Sequence, residues 1–376
     1  MTKFVSQLLF AAAALFVFNT AAMAQDHHGD HHATETHGDT HHETAEKEDP
    51  IAVMMHHIAD SHEFHLWGED ENSVSIPLPV ILIANGQFDV FMSSEFHHGN
   101  DPVTKGNNTY VLNHGKIYLA DNESGELTFD EEHHATNAMP LDFSITKNVF
   151  AMLISALLLI LIFGATASYY KKNGAVAPKG VAGFMEPLVM FVRDEIAIPN
   201  IGEKKYARYL PYLLTVFFFI WINNLLGLIP IFPGSANLTG NISFTLVLAA
   251  LTFLITTFSG NKDYWKHIFN TPGVPWWLKI PIPLMPLVEF IGILTKPVAL
   301  MIRLFANITA GHIIILSLIS LIFIFESVAW AGLAVPFALF MNVLELLVAA
   351  LQAYIFTLLS ALFIGMAVEE HDHAHH

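Results

Sequence analysis

With 376 residues, 53% of them hydrophobic, 14% charged and none cysteine, the chain has the balance of a polytopic membrane protein, and a disulfide framework, a thiol nucleophile and a thiolate metal site are excluded. Its formal net charge of −17 is concentrated, because residues 25–140 hold 22 of the 34 Asp and Glu but only Lys47, Lys105 and Lys116 of the 17 Lys and Arg. Acidity gathered in one region, with no basic face, excludes nucleic acid as a partner.

In chain order, residues 1–24 carry Lys3, an apolar run and "AMA" before Gln25. This is the pattern of a secretory signal peptide, cleaved after Ala24. Residues 25–50, "QDHHGDHHATETHGDTHHETAEKEDP", have no apolar face and are expected to form a disordered, acidic tail. Its seven histidines offer ligands to zinc or copper, against the plainer reading as a solvated linker. Residues 51–140 are expected to form a small β-containing extracytoplasmic module. Within it "MMHHIADSHEFHLWG", 54–68, reads as an amphipathic helix with His62 and His65 on one face. The "HEFH" it contains has one residue between Glu and the second His, where the zinc-protease motif has two, so a metalloenzyme is not indicated. Residues 73–93 read as two strands about an Asn85-Gly86 hairpin turn, and "KIYLADNESGELTFD" as further strand and turn.

From residue 141 the chain is all-α, with five predicted crossings. These are 149–168, 209–229, 242–258, about 284–323 and about 328–368. Residues 183–199 are too charged and short to span and are expected to form an amphipathic interfacial helix. Lys and Arg cluster in the loops 171–208 and 260–280 and are missing from "IPIFPGSANLTG" and "ESVAWAGLAVP". The basic loops therefore face the cytoplasm, the amino terminus lies outside, and five crossings put the carboxyl tail inside.

Between Pro281 and Val368 the ionisable groups are Glu289, Lys296, Arg303, His312, Glu326 and Glu345. Glu326 falls where a turn is expected. On a helix, Glu289, Lys296, Arg303 and Asn307 align within about 40°, a polar stripe about 27 Å long. His312 points about 140° away from it. Asn342, Glu345 and Gln352 fall within about 80° on the final helix, and the two stripes are expected to meet in an apolar setting. Inserting an arginine costs about 2.5–3.5 kcal/mol, while polar contacts between membrane helices average about 0.6 kcal/mol. Helix glue alone does not justify such charges, and they point to an ion route. A self-contained secondary transporter would show internal repeats, and none is visible.

The segments "NNLLGLIP" (223–230), "ANLTGNISFTLVLA" (236–249), "EFIGILTKPVAL" (289–300), "RLFANITAGH" (303–312) and "ELLVAALQAYIFTLLSALFIGMAVEEH" (345–371) together resemble subunit a of the F-type ATP synthase over about 141–370. The resemblance implies a stator subunit of the bacterial inner membrane that catalyses nothing alone, needs no cofactor, and translocates protons against a ring of c subunits. Further implied partners are the b-subunit peripheral stalk, other synthase subunits and the lipid bilayer. By position, Arg303 would be the essential arginine and Asn307 its neighbour. Asn224, His312, Glu345 and Gln352 would line the outer half-channel, and Glu289 the cytoplasmic one. The last two spans would form a tilted hairpin along the ring. Some bacterial members carry an acid at the position of His312 and a histidine at that of Glu345, the reverse of the order here. Some have an aspartate where Gly227 stands. The coupling ion, H+ or Na+, stays open because its binding carboxylate belongs to the ring.

The mature chain is expected to begin at or near Gln25. Amino-terminal sequencing of protein purified from membranes checks this; a retained Met1 would contradict it.

Overall fold

The computed structural model describes residues 60–67, 74–113, 115–122, 124–130, 135–174, 176–229, 232, 234, 236–269, 284–325 and 328–369. The expected signal peptide, the His-rich tail and Glu326 lie outside these residues.

The amino-terminal part is built of short antiparallel strands. Strands β1 (Glu63–Trp67) and β2 (Val74–Pro77) pair with each other. Strand β3 (Pro79–Ala84) pairs with β4 (Gln87–Met92) on one edge and with β8 (Leu141–Asp142) on the other. Strands β5 (Val103–Lys105), β6 (Asn108–Asn113) and β7 (Lys116–Leu119) form a third sheet. The β3–β4 turn falls on Asn85 and Gly86, with φ of 52° and 77°. Positive φ at both central residues matches the twist of the flanking strands, which is why Asn-Gly serves here.

Two expectations are corrected. Residues 63–67 are a strand and not part of a helix, so His62 and His65 do not sit one turn apart on a helix face. The segment "EFHLW" also fits an alternation of period two, and pairing with β2 satisfies its backbone on one edge while burying Phe64. The run before the hairpin is two strands and not one. The chain changes partners at Leu78, whose backbone exchanges hydrogen bonds with Ser93: Ser93 N–H donates to the Leu78 carbonyl (3.0 Å) and Leu78 N–H to Ser93 Oγ (3.0 Å).

Val80, Leu82, Phe91, Phe96, Tyr110 and Ile117 form the core of this part. Inside it the Tyr110 hydroxyl donates to the buried Asp89 carboxylate at 2.7 Å. Burial and that acceptor push the phenol up to about 12, so it stays a neutral donor.

The rest is helical. Helix α1 (Lys147–Asn173) leads to α2 (Val181–Phe191), which passes through a wide π turn (Val192–Ala197) into α3 (Ile198–Ile201). This segment covers the expected 183–199 helix, and it tucks Val192, Ile196 and Ala197 into the main core. Helices α4 (Tyr206–Leu228) and α5 (Ile242–Ser259) follow, with the 3-10 turn Leu238–Gly240 between them. Asn241 caps α5 by accepting from the N–H groups of Ser243 (3.0 Å) and Phe244 (3.4 Å). A short α6 (Lys262–Phe269) precedes the long pair α7 (Leu284–Ile324) and α8 (Val328–Val368). Five helices, α1, α4, α5, α7 and α8, are long and apolar enough to cross a membrane, matching the five predicted crossings. At 41 residues each, α7 and α8 are about 60 Å long, twice the usual hydrocarbon thickness. They fit a bilayer only by steep tilting or by projecting from it.

The two parts are joined by aromatic packing. Phe64 of β1 meets Phe150 in the first turn of α1 (centroids 5.4 Å apart) and Phe232 beyond α4 (5.3 Å), and those two rings stack at 5.7 Å. Truncating a buried phenylalanine typically costs about 3–5 kcal/mol. Phe64→Ala is therefore expected to loosen the strands from α1 while the helices stay folded. Hydrogen–deuterium exchange should show faster exchange at β1 and at Phe150, with α5 unchanged.

Candidate functional site

Helix α7 divides its polar residues between two directions. Leu300, Leu304 and Ile308 are buried, so the face they define is the one packed against α5 and α8. Arg303 and Asn307 lie on another face and are exposed; Leu294, Val298 and Ile302 are exposed elsewhere around the same helix. On α8, Glu345 and Gln352 are buried whereas Asn342 is exposed. The expected meeting of the two polar stripes is thus corrected: the hairpin does not bring the arginine stripe onto Glu345. Ala349 and Ala353 of α8 are fully buried, Ala349 against Asn224 of α4, while Arg303 is turned away from the core.

What Glu345 meets is His312. Glu345 Oε1 lies 3.7 Å from His312 Nδ1, with the two side chains 4% and 18% exposed. That spacing is an ion-pair distance but longer than a hydrogen bond. Both Glu345 oxygens are buried without a hydrogen-bond partner. Buried polar atoms of native proteins are almost always hydrogen-bonded, so this carboxylate is marked out as a candidate functional group.

Neighbouring residues shape the site. The Asn224 side chain is buried at the end of α4. It accepts from Thr239 Oγ1 at 2.7 Å and donates to the Ala349 carbonyl at 3.4 Å, one turn of α8 beyond Glu345. A Cβ on Gly311 would stand 2.7 Å from Glu345 Oε1, so any larger residue there would have to push the carboxylate aside. A Cβ on Gly227 would stand 3.9 Å from His312 Nε2. A side chain at 227 would begin between the Ala236 carbonyl, 3.2 Å from that Cβ, and the imidazole. Thr309 Oγ1, Asn237 Nδ2 and Asn223 Oδ1 are further buried atoms without a partner.

A second polar group lies at the amino-terminal half of α7. Lys296 Nζ sits 5.5 Å from the centre of the Phe363 ring, and Glu289 lies within electrostatic reach of both Lys296 and Tyr264. Lys296 and Tyr264 border one small pocket with Thr252, Thr256 and Phe363. Glu289 is thus separate from the His312–Glu345 group, as sequence position alone requires.

Reading the sequence missed Thr239, Gly311 and Tyr264. Thr239 and Gly311 carry no charge and differ from ordinary loop or helix residues only by what they touch. The run "ANLTGN", whose Asn, Thr and Gly interrupt the apolar spans, was the available signal for Thr239.

The fold and the site define a class: a polytopic membrane protein holding ionisable side chains inside its spanning helices. Residues 149–365 match the family profile described as ATP synthase A chain. ATP synthase subunit a of Chloroherpeton thalassium is 50% identical over 239 residues, covering 62% of this chain and 69% of that protein. The subunit a of an Anaeromyxobacter species is 41% identical over 335 residues, covering 86% and 71%. Subunit a 2 of Chlorobaculum tepidum is 51% identical over 238 residues, covering 61% and 65%. The chain belongs to the ATP synthase A chain family. Residues 53–143 match a second profile, a domain of unknown function (DUF8433).

A methyl group at position 311 would collide with the Glu345 carboxylate. Gly311→Ala is expected to destabilise the protein by about 1–3 kcal/mol through overpacking, with a lower melting temperature in detergent. An unchanged melting temperature would mean that Glu345 stands further from α7 than 2.7 Å to that Cβ implies.

Proposed function

We propose that the chain is the stator subunit of the membrane sector of a bacterial F-type ATP synthase, forming two proton half-channels against a ring of c subunits and coupling proton flow to ring rotation and ATP synthesis. The observation that carries this reading is Arg303, exposed to the outside of a helix pair that belongs in the membrane and is bordered by large exposed apolar side chains. Lipid tails offer no counter-charge, and a guanidinium left in them costs several kcal/mol. A ring carboxylate passing along this face supplies the missing partner.

The chemistry then follows from the groups present. Arg303 cannot be deprotonated, and its fixed charge favours the ionised form of a carboxylate that comes close. A ring site must therefore release its proton to one half-channel before it passes Arg303 and take one from the other after it. The arginine also blocks direct proton leakage between the two. Asn307 lies one turn along the same exposed face. His312 and Glu345, with Asn224 and Gln352, serve the outer half-channel: one base and one acid 3.7 Å apart can exchange protons as a coupled pair. Glu289 serves the cytoplasmic half-channel. Each elementary charge carried through the potential yields about 2.3 kcal/mol per 100 mV.

By itself the chain catalyses no reaction. Its partners are the c ring, the b-subunit peripheral stalk and the remaining synthase subunits, with lipid around them. It lies in the inner membrane with the β strands outside and the carboxyl terminus in the cytoplasm, a placement supported by the basic loops at 171–208 and 260–280. Residues 1–24 are the signal peptide, 25–50 a tail, 51–140 the extracytoplasmic module and 141–376 the channel-forming domain.

Arg303→Ala should abolish ATP synthesis driven by a proton gradient in vesicles while the complex still assembles. Arg303→Lys should fail as well, since lysine lacks the planar fork and loses its proton readily in an apolar setting. Substantial synthesis by either variant would refute the role given to Arg303.

A further inference from the structure

A second set of buried polar atoms without partners lies where the strands meet α1. The His62 ring is only 6% exposed; its Nε2 stands 3.0 Å from Asp142 Oδ2, while the Asp142 side chain keeps 32% of its surface. The other ring nitrogen, Nδ1, is buried and has no partner. Two residues earlier, Asp60 Oδ1 accepts from the N–H groups of Ser61 (3.1 Å) and Asn148 (3.0 Å), yet Oδ2 is buried and has no partner. His62 acts electrostatically on Asp60, two residues away in the chain, so both orphaned atoms lie at the same junction. Buried polar atoms of this kind are rarely left without a role or a partner.

Lys147 is the residue that couples this junction electrostatically to the intramembrane site. The backbone N–H of this residue donates to the Ser61 carbonyl at 2.8 Å, and its side chain is buried. Its ammonium lies within electrostatic reach of Asp60 on one side and of His312 on the other. The Phe64–Phe150–Phe232 cluster walls the junction. Phe232 belongs to the stretch that continues to Ala236, the residue beside Gly227.

We propose that the strands build the outer mouth of the proton path, and that Asp142, His62 and Asp60 form a relay passing protons between outside water and the His312–Glu345 site. The proposal rests on the reading of the chain as a proton-conducting subunit. Asp142, open to water, takes a proton and gives it to His62 Nε2. The ring releases its Nδ1 hydrogen to a water shared with Asp60 Oδ2, which becomes a neutral carboxyl. One proton enters the ring and one leaves, the ring ends neutral with its hydrogen on Nε2, and a turn of the ring about its Cβ–Cγ bond is needed to present a hydrogen to Asp60 again. Asp60 then yields its proton to water beside Lys147, on the way to Glu345.

The environments of the two carboxyls suit this order. Burial pushes the Asp60 carboxyl above the usual carboxylate range, against the opposing bonds from Asn148 and Thr146 and the charges of His62 and Lys147. Burial also pushes the Asp142 carboxyl up, but the His62 ring and the Ser144 hydrogen bonds outweigh it and hold this group below its ordinary range. The inner acid therefore keeps a proton more readily than the outer one.

The test is ATP-driven proton pumping in inverted vesicles carrying the whole complex. Asp60→Asn keeps an oxygen for the Asn148 N–H but carries no proton. His62→Gln keeps a hydrogen bond to Asp142 and cannot relay. Both should slow pumping by roughly ten-fold or more, with the amount of assembled complex unchanged. His62→Gly should recover on addition of imidazole, a rescue that a merely structural histidine would not show. Wild-type pumping in Asp60→Asn and His62→Gln overturns the relay, and so does a loss in His62→Gly that imidazole fails to restore. If one variant does not assemble, Asp60→Asn and the imidazole rescue each decide independently. Glu345→Gln separates the two readings. If it pumps normally, the proton path itself is wrong; if it alone stops pumping, the path stands and only the mouth proposed here falls.

Discussion

The carboxylate of Glu345, buried with neither oxygen hydrogen-bonded, is the constraint around which the helical part is arranged. Inside a membrane domain there is no bulk water to satisfy it, and an unpaired buried charge is among the most expensive features a protein can carry. The surroundings accommodate it in three ways. Gly311 leaves room for the carboxylate against α7, Asn224 and Thr239 bond to each other and to the backbone of α8 rather than to the acid, and His312 stops at 3.7 Å. The site is kept open rather than closed by a tight salt bridge. A tight pair would hold its proton and its charge in place; an open one can exchange them.

The hairpin of α7 and α8 extends the same logic to its two faces. Ala349 and Ala353 of α8 are fully buried, Ala349 against Asn224 of α4, and the packed faces decide which polar groups look inward. His312 and Glu345 do; Arg303 and Asn307 do not. The outward face bears large apolar side chains, Phe337, Phe340, Val343 and Leu347 among them, all exposed in the isolated chain. An arginine bordered by so wide an apolar surface is suited to a partner that brings one negative charge at a time.

Among the described residues the strands meet the helices at the start of α1 and at Phe232. There Asp60 and Thr146 cap the helix, accepting from the N–H groups of Asn148 and Val149, while Phe64 packs on Phe150 and Phe232. Capping and aromatic packing together fix the register between an all-β region and a membrane helix. They also bring Asp60, His62 and Lys147 within reach of each other, three residues that no local pattern associates.

The amino-acid sequence by itself determined the membrane class, the five crossings and the residues at which charge enters the apolar spans. Those features are one-dimensional: length, hydropathy and a 100° repeat express them directly. It also determined the Asn85-Gly86 turn, because positive φ at two successive positions has few residue solutions. The sequence did not decide between helix and strand at "EFHLW", where both periodicities fit and only pairing with Val74–Pro77 selects one. Nor did it decide which stripe of α7 faces which stripe of α8. A helical repeat gives angles about one axis, whereas the contact between two axes depends on where small residues let them approach. The tertiary structure alone placed His312 against Glu345, turned Arg303 outward and set Gly311 beneath the carboxylate, since each depends on close packing between segments distant in sequence.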